Sequence, residues 1–478
     1  MGIMWITEII PLAATALVPL VLYPLFGIVS AKDISREYLA DTNFIFMGSL
    51  IMAIAVEITN LHERVALRIL LLTGTSPRWL MLGFQLSTCI ISMWITNTAT
   101  AAIKSRLCAT NSAVSDLSLI TPSDTSSTAE FIPANFTEEE LKSSDKAQLN
   151  IYKGLLLSVA YTASIGGTGT LVGTAPNLVL SEKINELYPG RSPLSFSSWM
   201  LFAVPGMLLM GLFCWLWLQL LFIGFKKQDK ETEKAVHRLL SKRYDSLGSI
   251  NYGEKTVLTC FFLQVLIWVT RNPGFVPGWG RLFVKEHNGR TVEYATDGTA
   301  AIAVALLLFI LPKENPFRGS ENVDEFSPIL TWPEMQKHFS WGTIVLLGGS
   351  YAMAKGVKES GLSNLFGNEL TNIVALPQWL FVSLSAILAT ALTEFSSNVA
   401  TASIFVPILT SIACENAINP MRYLLPVIIS CSFAFMFPAG TPPNAIVFSS
   451  VPGRSDAECF RVDPDGLDDL QPIRRLDI

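Results

Sequence analysis

Apolar residues run in long blocks along this chain, at Ile9–Val29, Asn43–Ile58, Trp79–Ile103, Gly154–Leu180, Trp199–Phe225, Thr256–Val269, Gly298–Leu311, Trp341–Ala354, Leu376–Thr393, Val399–Ala413 and Tyr423–Val447. An α-helix needs roughly 20 mainly apolar residues to cross the hydrocarbon of a bilayer. About eleven such segments predict an all-α polytopic membrane protein. Several blocks are short or interrupted by Gly, Pro, Asn and Thr, and an interrupted helix is tolerated at membrane depth only where protein or a cavity surrounds the freed backbone. The interruptions are therefore where function is expected.

The polar stretches set the topology. Lys226–Arg243 carries seven Lys and Arg residues directly after an apolar block, which assigns it to the cytoplasm by the positive-inside rule. The next loop, Arg271–Asp297, is then expected outside. The stretch 104–153 is rich in Ser, Thr, Asp and Glu and predicts a flexible loop. Its Asn135-Phe136-Thr137 fits a glycosylation acceptor if that loop faces outside. These features divide the chain into a first half, 1–225, a basic cytoplasmic linker, 226–255, a second half, 256–450, and a polar tail, 451–478.

Composition agrees with the pattern. The chain is 50% hydrophobic and 15% charged, with a net charge of −5, which leaves no basic surface for nucleic acid. Of the seven cysteines, Cys89, Cys214, Cys260, Cys414 and Cys431 lie inside apolar blocks without a CxxC pair, and read as small buried residues. The start, Met1-Gly2-Ile3-Met4-Trp5, lacks the basic region of a cleavable signal, so no targeting peptide is expected. His62, His237, His287 and His338 fall in or near expected loops without an HExxH or GxSxG pattern, which argues against an intramembrane enzyme.

Comparing the interruptions exposes an internal repeat. Thr96-Asn97-Thr98-Ala99-Thr100-Ala101 matches Ser397-Asn398-Val399-Ala400-Thr401-Ala402, and Gly173-Thr174-Ala175-Pro176-Asn177 matches Gly440-Thr441-Pro442-Pro443-Asn444. Each half holds one of each, in the same order, as in a duplicated transporter whose site lies where the halves meet. An Asn offers a carbonyl oxygen to a cation and an amide donor to a carboxylate. Helix ends freed by Pro and Gly supply carbonyls for a cation and N–H groups for an anion. No Arg or Lys stands in either motif, which favours an anion bound together with cations over an arginine clamp. Glu394 precedes the second motif and either tunes a cation site or caps the broken helix. Lys355, at the end of an apolar block, reads as snorkelling to the interface.

At these residues the chain resembles the divalent anion/sodium symporter family, the animal sodium-dicarboxylate, sodium-citrate and sodium-sulfate transporters and the INDY proteins. The resemblance runs from about Met4 to Ser449 and is densest at Ser92–Thr100, Gly167–Leu180, Trp341–Leu362, Ser396–Pro407 and Ser432–Phe448. It implies an inverted-repeat, elevator-type transporter with two re-entrant hairpins and two broken helices, working as a homodimer in a membrane, here the plasma membrane. Carried over, Thr96, Asn97, Thr98, Ser397, Asn398 and Val399 hold substrate carboxylates, with Thr441 and Pro442 close by. The resemblance places one sodium ion near Ser92, Thr96, Asn97 and Gly173, and a second near Thr393, Ser396, Asn398 and Gly440.

The chain departs from the family in places. Thr96 stands for a Ser and Val399 for a Thr, and Lys104-Ser105-Arg106 replaces an apolar run. The family usually has one more helix before the Met4 segment and another after Ser449, whereas Val451–Ile478 is too polar to span and is expected to be solvated. The implied function is sodium-coupled transport of small carboxylate anions of the succinate and citrate class. A sulfate carrier, a sodium-independent exchanger and a truncated product that does not transport are the alternatives.

Overall fold

In the computed structural model, the described residues are 1–7, 9–74, 76–98, 100–101, 146–188, 193–224, 230–273, 276–287, 290–315, 327–362, 377–437 and 440–449. Asn135, Lys104-Ser105-Arg106 and the tail Val451–Ile478 lie outside them. The first half comprises α1 (Gly2–Thr7), α2 (Leu12–Thr15), α3 (Val18–Leu25), α4 (Ala31–Glu37), α5 (Asp41–Ile58), α6 (Leu61–Thr73), α7 (Pro77–Ser92), α8 (Lys146–Gly167), α9 (Ala175–Leu187) and α10 (Phe196–Leu218, continued as a π turn, Gln219–Ile223). The linker helix is α11 (Lys230–Ser246). The second half has α12 (Tyr252–Arg271), a hairpin of β1 (Val284–His287) and β2 (Arg290–Glu293), then α13 (Asp297–Ile310), α14 (Trp332–His338), α15 (Trp341–Glu359), α16 (Gln378–Thr393), α17 (Asn398–Glu415), α18 (Met421–Ser430) and α19 (Pro442–Ser449).

Helices thus form where the apolar blocks run. Among the described residues, Ala31–Ile58, Phe196–Ile223, Tyr252–Arg271 and Asn398–Glu415 are long and apolar enough to cross a membrane. The chain is a multi-pass helical membrane protein. α10 is apolar on every side and lies at the rim of the bundle, where Leu201, Phe213 and Trp217 are more than half exposed, as lipid-facing residues must be. α8 begins at Lys146, inside the stretch expected to be loop, because Ile151, Tyr152 and Leu155 already pack into the core. Cys414 is exposed rather than buried, since α17 emerges from the bundle at its last two residues, after the buried Ile412 and Ala413.

Two kinds of contact hold the helices together. The first is close backbone approach: a Cβ at Gly48 on α5 would sit 2.6 Å from Ala301 Cβ on α13, so only glycine lets these helices meet. The second is a buried ion pair at the linker end. Arg64 on α6 donates to Glu254 Oε1 (3.2 Å) and to the carbonyls of Gly248 (2.9 Å) and Leu247 (3.0 Å). Glu254 Oε2 in turn accepts the amide of Asn251, which caps α12 (2.9 Å). Arg64 and Glu254 are both about 95% buried, so neither has water as an alternative partner.

Arg64→Ala should therefore cost about 3–5 kcal/mol, because it leaves Glu254 as a buried charge without its partner. The measurement is thermal unfolding in detergent, with the double variant R64M/E254M expected to recover most of the loss.

Candidate functional site

Both interruptions expected in each half are present, and the halves build them alike. α7 stops at Ser92, the chain turns through 93–96, and helical backbone resumes at Asn97; α16 stops at Thr393, turns through 394–397, and α17 starts at Asn398. Thr96 and Ser397 occupy the same place, each carbonyl accepting the amide four residues on, from Thr100 (3.1 Å) and Thr401 (2.9 Å). The second interruption separates α8 from α9 over 168–174 and α18 from α19 over 431–441.

The Asn residues are held by hydroxyls. Ser92 Oγ lies 2.6 Å from Asn97 Oδ1 and 2.6 Å from the carbonyl of Ala163. Thr393 Oγ1 lies 2.8 Å from Asn398 Oδ1 and 2.6 Å from the carbonyl of Cys431. A hydroxyl owns one proton, so in each trio it can satisfy one of its two neighbouring oxygens. Three oxygens converging on a single proton form a patch that a hard cation fits, since such ions take oxygen ligands.

A second pair of Asn residues spans the other interruptions. Asn177 Nδ2 donates back to Thr170 O (2.8 Å) and Gly167 O (3.4 Å), seven and ten residues earlier. Asn444 Nδ2 donates to Phe437 O (3.1 Å) and Ala434 O (2.8 Å), at the same two spacings. Asn177 thus ties α9 to the end of α8 and to the break, and Asn444 ties α19 to the unwound segment after α18.

Buried oxygens without a protein partner recur in matching positions. They include Thr100 Oγ1 and Thr401 Oγ1, Ser164 Oγ and Ser432 Oγ, and Asn177 Oδ1 and Asn444 Oδ1, joined by Ser396 Oγ and Thr441 Oγ1. Native interiors leave few such groups, and paired ones around two breaks mark places built for ligands or water. Gly173 comes close to the first trio, because a Cβ at Gly167 would lie 2.6 Å from Asn97 Oδ1 and 3.0 Å from Gly173 O. A Cβ at Gly440 would lie 3.1 Å from Glu394 Oε2 and 3.3 Å from Glu394 O. Thr98 and Val399 follow their Asn residues, the first half-buried and the second buried, and Pro442 is exposed at the start of α19.

The two halves also meet. Met93 from the first interruption packs with Ile165 and Met207 against Phe433 and Phe435 from the second half, and Tyr161 meets Phe435 with tilted rings whose centres are 5.1 Å apart.

Glu394 breaks the symmetry. It stands where the first half has Met93, is 97% buried, and accepts the amides of Phe435 (2.7 Å), Met436 (2.9 Å) and Phe437 (3.1 Å). Its carboxylate ties the unwound backbone after α18 and does not cap α17, the helix that follows it, whose N-terminus has no side-chain cap. The first half does this work with neutral groups: Thr170 Oγ1 donates to Met93 O (2.5 Å) and accepts from Gly173 N, while Trp199 Nε1 donates to Thr168 O (3.0 Å). Lys355 does not simply snorkel; its Nζ is 2.6 Å from Glu37 Oε1.

A family model described as the sodium:sulfate symporter transmembrane region matches residues 1–454. The chain belongs to this family. It is 41% identical to the Na(+)/citrate cotransporter of Mus musculus, over 94% of this chain and 83% of that protein. It is 41% identical to the sodium-dependent high-affinity dicarboxylate transporter 3 of Caenorhabditis elegans, over 94% and 76% respectively. With solute carrier family 13 member 1 of Homo sapiens the identity is 34%, over 93% and 83%. The family is one of transporters, not enzymes.

Sequence reasoning missed Ala163, Ser164, Thr170, Cys431 and Ser432. The carbonyls of Ala163 and Cys431 complete the trios, Thr170 bridges Met93 O and Gly173 N, and Ser164 and Ser432 add hydroxyls without a protein partner; nothing in their local sequence marks them, and only aligning the halves outward from the Asn motifs would have found them.

Glu394→Ala should lower stability by about 2–3 kcal/mol, because three amides of the unwound segment lose their acceptor. Thermal unfolding in detergent should show a smaller loss for Glu394→Gln, which keeps one acceptor oxygen.

Proposed function

We propose that this protein carries small di- and tricarboxylates of the succinate and citrate class across the plasma membrane, coupled to sodium. One observation supports this most: the segments 92–101, 163–177, 393–401 and 431–444 contain no Lys or Arg, and their one charged residue is the carboxylate of Glu394. A region of that charge repels an anion unless cations bind with it. Two oxygen trios, each with one proton to share, are the natural places for those cations, and the relatives named for sodium-coupled citrate and dicarboxylate transport fit this reading.

On this reading one sodium binds with Ser92, Thr96, Asn97 and Gly173 and the other with Thr393, Ser396, Asn398 and Gly440. The carboxylates bind between them at Thr96, Asn97, Thr98, Ser397, Asn398 and Val399, with Thr441 and Pro442 near. The Asn amide nitrogens and the hydroxyls donate to the anion, while the Asn oxygens face the cations. α7 with the helix from Asn97, and α16 with α17, act as re-entrant hairpins whose tips meet. Residues 1–225 and 256–450 are inverted repeats joined by the cytoplasmic linker 226–255. Transport is by an elevator in which these hairpins and broken helices move against a fixed remainder, within a homodimer. The match to the sodium:sulfate symporter family favours a second reading, a sulfate carrier.

The test is uptake of labelled succinate, citrate and sulfate by proteoliposomes containing only this chain, with and without a sodium gradient. Carboxylate uptake that requires sodium supports the proposal; sulfate uptake that citrate does not compete supports the alternative. Asn97→Ala and Asn398→Ala should each reduce uptake at least tenfold with protein amount unchanged, whereas Lys355→Ala should be mild. Sodium should raise substrate affinity by the same factor by which substrate raises sodium affinity, because coupling between binding sites is reciprocal. The sodium dependence should be sigmoidal, since two ions bind; identical binding in sodium and choline would reject coupling.

A further inference from the structure

Between α12 and α13 the chain does not leave directly for water. α12 ends at Arg271, and a short 3₁₀ turn, Trp279–Phe283, folds back along it before β1 begins. Gly278 lies so close that a Cβ there would collide with the Arg271 carbonyl, and Trp279 Nε1 donates to the carbonyl of Ile267 (2.9 Å). At 1.5 Å per residue, Ile267 lies about 6 Å inside the end of α12. The turn is therefore fixed beside the last turn of a helix that crosses the membrane.

Neighbouring helix ends tie that level to lipid. Ser197, at the start of α10, donates to the carbonyl of Val269 (2.9 Å), and Arg271 closes on Asp297 (2.7 Å) and on the carbonyl of Ala295 (3.2 Å) at the start of α13. A charged pair at three helix ends marks the edge of the hydrocarbon, because charge deeper in it is costly. Just inside that edge, Leu266 on α12 and Leu201 on α10 are more than half exposed, as lipid-facing residues are. At the same level the turn and the hairpin present Leu282 (79% exposed), Phe283 (49%) and Tyr294 (60%), joined by the amide of Tyr294 on the carbonyl of Phe283 (3.0 Å). Arg281 and Lys285 flank this patch and are exposed, with Lys285 Nζ 5.8 Å from the centre of the Tyr294 ring. Apolar side chains, an aromatic ring with a polar tip and two long cations are what a protein places where acyl chains meet headgroups. Water would solvate the two cations and leave Leu282 and Phe283 as exposed apolar surface.

We propose that this turn and the hairpin rooted in it are an interfacial anchor, dipped into the leaflet opposite the linker helix α11, with Leu282 and Phe283 at the acyl boundary and Arg281 and Lys285 on lipid phosphates. The partner of the patch is the bilayer surface itself. Three observations select it: the patch continues the lipid-facing surfaces of α10 and α12, the Trp279 bond fixes its depth, and its rim carries cations that suit phosphate. Through Trp279 and Arg271 the anchor holds the ends of α12 and α13 at one depth.

The experiment places an environment-sensitive fluorescent amino acid at Leu282 of the full chain in phosphatidylcholine vesicles, with Leu201 as the lipid-facing reference and the exposed Lys242 of the linker helix as the water-facing one. Lipid brominated near the headgroup end of its chains should cut the emission at Leu282 at least twofold, as at Leu201. Iodide present on both faces should quench at Leu282 at least threefold less than at Lys242. Iodide quenching equal to that at Lys242, with no effect of brominated lipid, would put the patch in water and overturn the anchor. Quenching by neither agent would mean that protein covers the patch, as a second copy of the chain would, and would overturn it equally. If the chain labelled at Leu282 does not accumulate, the same placement at Tyr294 gives the same reading, since that side chain is also mostly exposed.

Discussion

Everything in this molecule that differs from an ordinary helical bundle follows from one constraint: a helix interrupted inside a bilayer frees amides and carbonyls that hydrocarbon cannot satisfy. The chain meets it four times, and at the breaks 93–96, 168–174 and 431–441 a side chain takes over missing helical bonds. Asn177 and Asn444 donate to carbonyls seven and ten residues behind them, Thr170 serves one carbonyl and one amide, and Glu394 takes three amides. Because the breaks are bridged from the side, their remaining oxygens can face each other instead of each other's helix. The convergence of Ser92, Asn97 and Ala163, and of Thr393, Asn398 and Cys431, is the outcome.

The repeat is close in geometry but not in chemistry. Hydroxyl, amide and carbonyl recur with the same spacing, yet the first half ties its unwound backbone with neutral groups and the second with a buried carboxylate. Gly167 in the first half also becomes Ala434 in the second, so the close approach of Asn97 to the backbone there is not available to Asn398. On the proposed reading, a carboxyl group beside Gly440 and none beside Gly173 make the two cation places unequal in affinity. Duplication supplied two similar cradles, and single substitutions made them different.

The apolar blocks gave the helices, and the Asn motifs gave the breaks, because both signals are local: length and hydropathy for the first, a polar triplet followed by Gly or Pro for the second. What the chain does between distant residues was not legible. Arg64 and Glu254 are 190 residues apart, and each alone reads as a charged residue near a block end. Lys355 read as snorkelling because its partner, Glu37, belongs to a helix on the other side of the chain. Ala163 and Cys431 contribute backbone oxygens, which carry no residue-type signature at all. The start of α8 at Lys146 was hidden by the polar composition of the residues ahead of it.

Lipid gives helices no hydrophobic reason to prefer one another, so a membrane bundle is held by close packing and polar ties. These have different mechanical consequences. Glycine seams such as Gly48 against Ala301, or Gly349 against Ala16, gain their attraction from many short contacts that vanish together when the helices shift. Polar ties at a rim lose little when water replaces the partner. Glycine seams therefore fix a surface, while exposed charge around a cavity leaves a surface open to water; α15 carries one on each face.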